Sequence, residues 1–426
     1  MKYLGVVVML VAAVAATFLP APDPADPGAV PATEAPPVAI CPILQAGERS
    51  TSVSVLSSVN GEGRLSTFAA GSETGALDFR TGRLGAVTIA AADVGAVGNA
   101  GGLVEMPSET TAAAVVVAGP NSRAAESCAD IPEGQIFISG GSTAGGELFA
   151  IQLINPYAGE AIVNLTVTTD TGLESNDQFN AVVVPPLSTI TRDMNEIIPG
   201  RETISANIET TRGSVLAYGR LTSDGEVAVW RAVAPGDNWW LPVPEGAGTK
   251  QMVIATPENS EIEYQVDLFG PDGYVEGHDT GVIAPRGRVV VPLAAVTEGA
   301  AGVRVITTGP VVPALRIDSP HGLAWTTASP VDATVWLLPG AGAPPEGSGS
   351  VVVLNTGIET VTVSIRALGE SGPVRELEVD AEGVLVADLV AADGYRVEAS
   401  GPVVALWTSE FGASRSAAIG IPLQDG

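Results

Sequence analysis

The chain contains a repeated unit of about 100 residues, and this duplication constrains its fold more than any other feature. Pro156 and Pro257 open the same alternating strand pattern and lie 101 residues apart. The turn glycines Gly270 and Gly369, which close that pattern, lie 99 residues apart. Because strand and turn positions both recur at this spacing, the sequence predicts tandem copies of one folding unit.

The ends of the units also agree. Glycine-led apolar runs end the units at Gly213, Gly309 and Gly401, and tryptophan-led runs open them at Trp239 and Trp336. These limits predict β repeats over 132–237, 238–333 and 334–426, and a diverged first repeat over 39–131. Since 238–333 holds a complete set of strands, we expect it to fold alone.

Each unit is rich in short strands. In the third unit, about seven or eight runs of β-forming residues alternate with turns every 8–14 residues, as in a β-sandwich of the immunoglobulin-like kind. Asp-Gly pairs such as Asp224-Gly225 favour tight hairpins, because both positions accept positive φ. The sequence therefore predicts an all-β protein of tandem immunoglobulin-like sandwiches. The alternative is a β-propeller in which each repeat supplies two four-stranded blades.

The N-terminal residues indicate export. Lys2 precedes an uncharged, mostly apolar run from Leu4 to Leu19, so 1–20 is a signal peptide or a membrane anchor. As a helix this run would span roughly 24 Å, less than a bilayer core of about 30 Å. The following segment, 21–38, is rich in proline and alanine and is expected to form a semi-rigid spacer.

The charge balance excludes one class of partner. The chain has 48 acidic and 20 basic side chains, a formal net charge of -28. Nucleic-acid binding needs clusters of basic residues, and this negative field would repel a polyanion. Excess surface carboxylate keeps a β-rich protein soluble and protects its strand edges, although it could also attract cations or basic partners.

The two cysteines, Cys41 and Cys128, bracket the first repeat. An even cysteine count at the edges of a unit in an exported chain predicts a disulfide. A metal-binding or redox role has less support, because no histidine lies near either cysteine in the sequence.

The remaining polar residues predict no catalytic, cofactor-binding or metal-binding site. Both histidines, His278 and His321, fall in expected loops, and neither accompanies a nucleophile elbow. The acidic stretch 170–177 lacks the ligand spacing of a calcium loop and is read as an acidic hairpin. Tryptophans at the repeat boundaries favour core or inter-repeat packing over a sugar-binding platform.

The layout resembles an actinobacterial family of exported or membrane-anchored cell-envelope proteins of unassigned function. The residues that carry this resemblance are the export segment, the spacer, Cys41-Pro42 at the start of the folded part, and the Trp336-Leu337-Leu338-Pro339 opening. The resemblance implies an extracytoplasmic role linked to the cell envelope. Envelope proteins or cell-wall glycans are the expected partners, and the apolar N-terminal run predicts membrane association. Three function classes remain: a non-enzymatic structural or interaction protein, a carbohydrate-binding module array, and an envelope polysaccharide-processing enzyme.

Overall fold

The computed structural model describes most of the chain beyond the expected spacer. The described residues are 37–45, 49–119, 122–130, 134–270, 273–294, 299–319, 322–340, 348–369, 374–389, 392–411 and 414–423. The expected export segment 1–20 and His321 lie outside them, as does all but the end of the expected spacer. Within these ranges, no helix has the length and apolar character needed to cross a membrane.

The strands form four groups, called repeats 1 to 4 below. Repeat 1 contains β1 (Val38–Gln45), β2 (Ser50–Ser57), β3 (Gly61–Ala69), β4 (Ser72–Thr81), β5 (Gly85–Ala90), β6 (Gly98–Glu105), β7 (Thr111–Ala118) and β8 (Arg123–Ser127). Repeat 2 contains β9 (Gln135–Ile138), β10 (Leu148–Asn155), β11 (Ala161–Thr169), β12 (Gly172–Glu174), β13 (Val182–Val184), β14 (Ser188–Asp193), β15 (Ile204–Arg212), β16 (Leu216–Ser223) and β17 (Glu226–Arg231).

The other two repeats have the same plan, except that one long strand replaces two shorter ones. Repeat 3 contains β18 (Gly236–Val243), β19 (Thr249–Ala255), β20 (Ile262–Gly270), β21 (Gly273–Ile283), β22 (Arg288–Pro292), β23 (Ala301–Ser319) and β24 (Gly322–Thr327). Repeat 4 contains β25 (Ala333–Pro339), β26 (Ser348–Asn355), β27 (Val361–Ala367), β28 (Arg375–Val379), β29 (Val384–Leu389), β30 (Gly394–Phe411), β31 (Ser414–Ile419) and β32 (Ile421–Pro422). Helical turns occur at Ala91–Val94, Asp177–Phe179 and Met194–Ile197.

Every repeat is a sandwich of two antiparallel sheets, which confirms the predicted fold class. The first sheet, called sheet I, has the strand order β1-β6-β3-β4 in repeat 1, and the second, sheet II, has the order β5-β2-β7-β8. Repeat 2 reproduces these orders as β9-β15-β11-β12 and β14-β10-β16-β17. In repeats 3 and 4, β23 and β30 cross from sheet I to sheet II, so both sheets share one continuous strand.

The crossing between sheets explains the glycine-led runs in the sequence. Gly309 and Gly401 lie where β23 and β30 change sheets. A Cβ atom on Gly309 would lie 2.5 Å from Ile262 Cδ1, and one on Gly401 would lie 2.8 Å from Val361 Cγ1. Only glycine allows the chain to bend this closely over the neighbouring strand.

A buried polar residue caps the second strand of each repeat. Its side-chain oxygen accepts a hydrogen bond from the backbone N–H two residues later, which forms a tight turn. The four pairs are Ser57 with Val59 (3.3 Å), Asn155 with Tyr157 (3.0 Å), Thr256 with Glu258 (3.1 Å) and Asn355 with Gly357 (2.9 Å). The duplication is therefore visible in single hydrogen bonds as well as in sheet order.

The four repeats are arranged in a closed ring. Sheet I of each repeat packs on sheet II of the next: β6 lies against β14, and β18 lies against β26. Repeat 4 completes the circle, because β25 contacts β2 and β7 of repeat 1. The eight sheets thus follow one another around an axis, as propeller blades do, although the strand connections are those of sandwiches.

The centre of the ring is filled by the last strand of each repeat. The strands β8, β17, β24 and β31 contact one another in a closed cycle, and the space between them is only about 10 Å³. All six described residues of β24 are buried, whereas most residues of the outer strand β4 are exposed. The inner strand β24 is therefore fully covered, and the outer strand β4 is largely open to solvent.

Candidate functional site

The interface between repeats 4 and 1 contains a turn that is repeated around the ring. This turn lies just before β5 in repeat 1, β14 in repeat 2, β22 in repeat 3 and β29 in repeat 4. In each turn, one residue other than glycine has a positive φ. These residues are Leu84 (52°), Leu187 (43°), Arg286 (50°) and Glu382 (53°). At three interfaces the carbonyl of this residue accepts a hydrogen bond from the preceding repeat: Gly369 N to Leu84 O (3.1 Å), Gly71 N to Leu187 O (3.2 Å) and Thr168 Oγ1 to Arg286 O (2.7 Å).

Between repeats 4 and 1, a polar cavity of about 270 Å³ lies beside this turn. Repeat 1 contributes Ser58 and the turn residues Arg83 and Leu84. The opposite wall is formed by β27 and β30 of repeat 4. It presents Ser364, Arg366, Arg396 and Glu398.

Three arginines therefore converge on one space in a strongly acidic protein. Arg366 and Arg396 are directly opposite each other in the ladder between β27 and β30. Like charges in this position destabilise a sheet. Glu398 is the only acidic side chain in the described lining, so the cavity has an excess of positive charge.

The hydrogen bonds of the cavity satisfy only part of its donors. Arg396 forms an ion pair with Glu398, and its Nη1 donates to Ser58 Oγ across the interface (3.0 Å). Its Nε is buried and has no hydrogen-bond partner among the described residues. Among the residues that the structure describes, no carboxylate lies within ion-pair distance of Arg83 or Arg366. The cavity thus offers free guanidinium donors, which suit an anion.

The predicted disulfide is present. Cys41 in β1 and Cys128 after β8 are bonded, with their Cα atoms 4.6 Å apart. The bond lies beside an antiparallel bridge between Ile40 and Ala129, which joins the inner edges of the two sheets. It therefore closes the sandwich of repeat 1 at the axis of the ring.

The predicted loop at His278 is wrong, because this residue lies in the outer strand β21. The neighbouring Asp279 accepts a hydrogen bond from the Tyr264 hydroxyl (2.9 Å). In the acidic stretch, Asp170 accepts the backbone N–H of Glu202 (3.0 Å), and Glu174 pairs with Arg201 (2.8 Å). The described residues include no group of three or more side chains suited to a metal ion.

The tryptophans lie in the interior, as the packing interpretation predicts. None of the six is more than 7% exposed. Trp230 of repeat 2 stacks on Phe149, with ring centroids 5.6 Å apart, and on Trp325 of repeat 3, at 5.1 Å. These rings hold neighbouring repeats together, so they are not available as a sugar-binding platform.

No motif in the sequence indicates the arginine cavity. Its residues come from two repeats that are more than 250 residues apart in the sequence, and no local spacing connects them. A comparison of equivalent strand positions would have given one signal, because Arg366 occupies the position that Asp267 occupies in repeat 3.

Similarity to solved structures is low. The chain is 8% identical to an α-L-rhamnosidase of Streptomyces avermitilis, with 84% of this chain and 54% of that chain covered and a TM-score of 0.14. It therefore spans about half of that enzyme's length. A major pilin of Streptococcus pyogenes is 8% identical, with 68% and 98% covered and a TM-score of 0.14.

A tetra-tandem repeat from the extending region of a large adhesion protein is 11% identical, with 91% and 100% covered and a TM-score of 0.12. No significant match to a curated protein was found.

The family comparison gives a clearer result. One family model matches residues 97–318 and, a second time, residues 222–416. The second match ends about one repeat after the first, in agreement with the duplicated architecture. Because the two matches together cover about three quarters of the 426 residues, the chain belongs to the family of unknown function DUF5719.

Proposed function

We propose that this protein is a non-enzymatic, extracytoplasmic cell-envelope protein that acts as a rigid interaction scaffold. The observation that carries this proposal is the closed ring, in which the first and last repeats bind each other. Such a ring holds its outer loops in fixed relative positions, and loops on a rigid framework are where proteins place binding residues. The disulfide supports an extracytoplasmic location, because such bonds persist in oxidising compartments.

The partners proposed are envelope proteins or cell-wall glycans, with the N-terminal segment 1–20 providing membrane association. The net charge of -28 disfavours nucleic acid as a partner. A carbohydrate-binding array that used tryptophan platforms is disfavoured by the burial of all six tryptophans. A glycan partner would instead have to contact polar side chains on the exposed outer strands and turns.

The proposal is tested by complementation of a deletion strain with full-length variants. His278→Ala and an Asp170→Asn/Asp177→Asn double variant remove the side chains that would be the first candidates for acid–base chemistry. Both variants should be present at normal abundance and should return the envelope of the deletion strain to its wild-type state. As a matched control, a variant that breaks the ring, Gly394→Leu, should fail, because a Cβ there would lie 2.5 Å from Leu56 of repeat 1. Loss of function in a folded, normally abundant His278 or Asp variant would contradict the non-enzymatic proposal.

A further inference from the structure

We propose that the cavity between repeats 4 and 1 binds a dianionic phosphate group, which Arg83, Arg366 and Arg396 hold together. The three guanidiniums against the single Glu398 carboxylate leave a formal excess of two positive charges. A phosphate monoester or inorganic phosphate matches this excess, whereas a single carboxylate would neutralise only half of it.

The other three repeats act as internal controls for this assignment. In each sandwich, the residue equivalent to Arg396 is opposite the same position of the first strand: Ile40, Phe137, Trp240 or Leu337. On its other side it is opposite the residue equivalent to Arg366. These cross-strand pairs are Ser66 with Leu103, Thr166 with Asn207, Asp267 with Arg304, and Arg366 with Arg396. Repeats 1 and 2 use neutral residues here, and repeat 3 uses opposite charges. Only repeat 4 places two like charges opposite each other.

The fold therefore does not require two arginines at this position. Repeat 3 places the buried Asp267, an acid, opposite Arg304, and Arg304 donates to Asn238 Oδ1 (3.0 Å). Repeat 4 has Arg366 in place of that aspartate, and the acid beside the pair, Glu398, is bonded to Arg396. One of the two guanidinium charges is therefore left without a counter-charge in the lining, and a bound anion would neutralise it. A bound anion would account for the arginine pair, which otherwise places like charges opposite each other.

The geometry also suits phosphate. Arginine presents a planar fork of N–H donors that matches phosphate oxygens, and it remains charged at any physiological pH. Arg83 approaches from repeat 1, and Arg366 and Arg396 approach from repeat 4, so the donors surround the space from two sides. The hydroxyls of Ser58 and Ser364 add neutral donors. A volume of about 270 Å³ lies near the lower end of small-molecule pockets, which suits a phosphate with a small substituent.

Because the arginines belong to two repeats, a bound phosphate would join the first and last repeats of the ring. Binding should therefore stabilise the folded chain in proportion to the phosphate concentration. The site is consequently detectable as a thermal shift in addition to a binding heat.

The test uses the full chain, with inorganic phosphate as the probe and acetate at matched ionic strength as the comparison. Phosphate should raise the melting temperature of the wild type, and acetate should not. Arg366→Thr, which copies Thr166 of repeat 2, should weaken phosphate binding about tenfold or more in calorimetry. In phosphate-free buffer the same variant should melt no lower than the wild type, because it lacks the repulsion with Arg396.

A second variant and a control complete the experiment. Arg83→Ala, which copies Ala381 of repeat 4, should weaken binding by a similar factor from the other side of the cavity. Arg80→Ala removes the same charge from β4, where the Arg80 side chain is 83% exposed and pairs with Glu62, and it should bind phosphate as the wild type does. Equal thermal shifts with phosphate and acetate would overturn the proposal. So would wild-type phosphate affinity in both Arg366→Thr and Arg83→Ala.

Discussion

At the scale of single residues, some positions that recur in the four repeats have a local sequence pattern and others have none. The caps Asn155 and Asn355 begin visible turn motifs, and their side chains each donate to three backbone carbonyls. Arg366 and Arg396 have no such local pattern, because their significance depends on which strands become neighbours. The sequence therefore predicts the turn residues well, and the cavity residues only after strand pairing is known.

Lys250 is the residue whose ionisation should most clearly affect stability. It lies in β19, its side chain is buried, and burial lowers the pKa of its ammonium to about 8. The nearby Arg415 lowers this pKa further, and Glu245 opposes the shift. In the unfolded chain the pKa is about 10.4, so the folded state releases the proton first. The cost of burying the charge is complete below about pH 8 and disappears as the pH rises towards 10.4.

Wild-type protein should accordingly gain stability relative to Lys250→Met as the pH increases. Between pH 7 and 9.5 the difference in unfolding free energy should change by about 2 kcal/mol in favour of the wild type. Urea unfolding at a series of pH values measures this difference. Lys250→Arg should show no such gain, since arginine does not titrate in this range. A pH-independent difference between wild type and Lys250→Met would mean that the ammonium keeps its proton throughout.

At the scale of strands and sheets, the sequence predicts the elements better than their partners. Period-two patterns and turn glycines mark where strands begin and end, because each strand must present one face to a core. The crossing of β23 and β30 between two sheets was not predictable in this way. Which half of such a strand belongs to which sheet depends on its cross-strand neighbours. The sequence therefore shows that Gly309 and Gly401 recur at the same place in two repeats, and it does not indicate that they form corners.

The disulfide is an element-scale substitute for apolar packing. In the other repeats, a large apolar residue occupies the position of Cys41 and a small uncharged residue occupies the position of Cys128. Both lie beside the contact that corresponds to the Ile40–Ala129 bridge of repeat 1. These positions are Ile138 and Ala232, Leu241 and Ala328, and Leu338 and Gly420. Repeat 1 therefore uses a covalent bond where its three relatives use hydrophobic contact.

Replacing the disulfide with the pair from repeat 3 should be tolerated better than replacing it with serines. Loss of a cross-link that spans 87 residues costs about 4–5 kcal/mol in the chain-entropy model. Cys41→Leu/Cys128→Ala should restore apolar contact, whereas Cys41→Ser/Cys128→Ser adds buried hydroxyls at a further cost of about 1–3 kcal/mol each. Denaturant unfolding of both variants measures the difference. Equal stabilities would show that the site does not pack as its equivalents do.

At the scale of the whole molecule, the repeats depend on one another more than their sequences suggest. The core of repeat 3 is continuous with that of repeat 4, and Val253, Leu323 and Trp325 pack into the core of repeat 2. Nothing within one unit of sequence shows which surface of another unit will cover it. For this reason the sequence does not predict the ring, although it does predict the repeat and its strand content.

This shared core changes the expectation that 238–333 folds alone. A fragment over 236–333, which includes all of β18, would expose Trp325 and the surface that faces repeat 4. We expect it to lack a cooperative melt by circular dichroism, and its tryptophan emission should be red-shifted relative to the full chain. A sharp β-type melt of the isolated fragment would show instead that each sandwich is autonomous.

The filled centre of the ring has a consequence for how the gene can change. Open arrays of repeats gain or lose copies readily, because each copy contacts only its neighbours. Here β8, β17, β24 and β31 meet with almost no space between them. A fifth copy would therefore find no place at the axis, and a chain with three copies would leave a gap there. Unequal crossing-over within this gene should therefore produce chains that cannot close, and lineages that keep the fold should keep the number four.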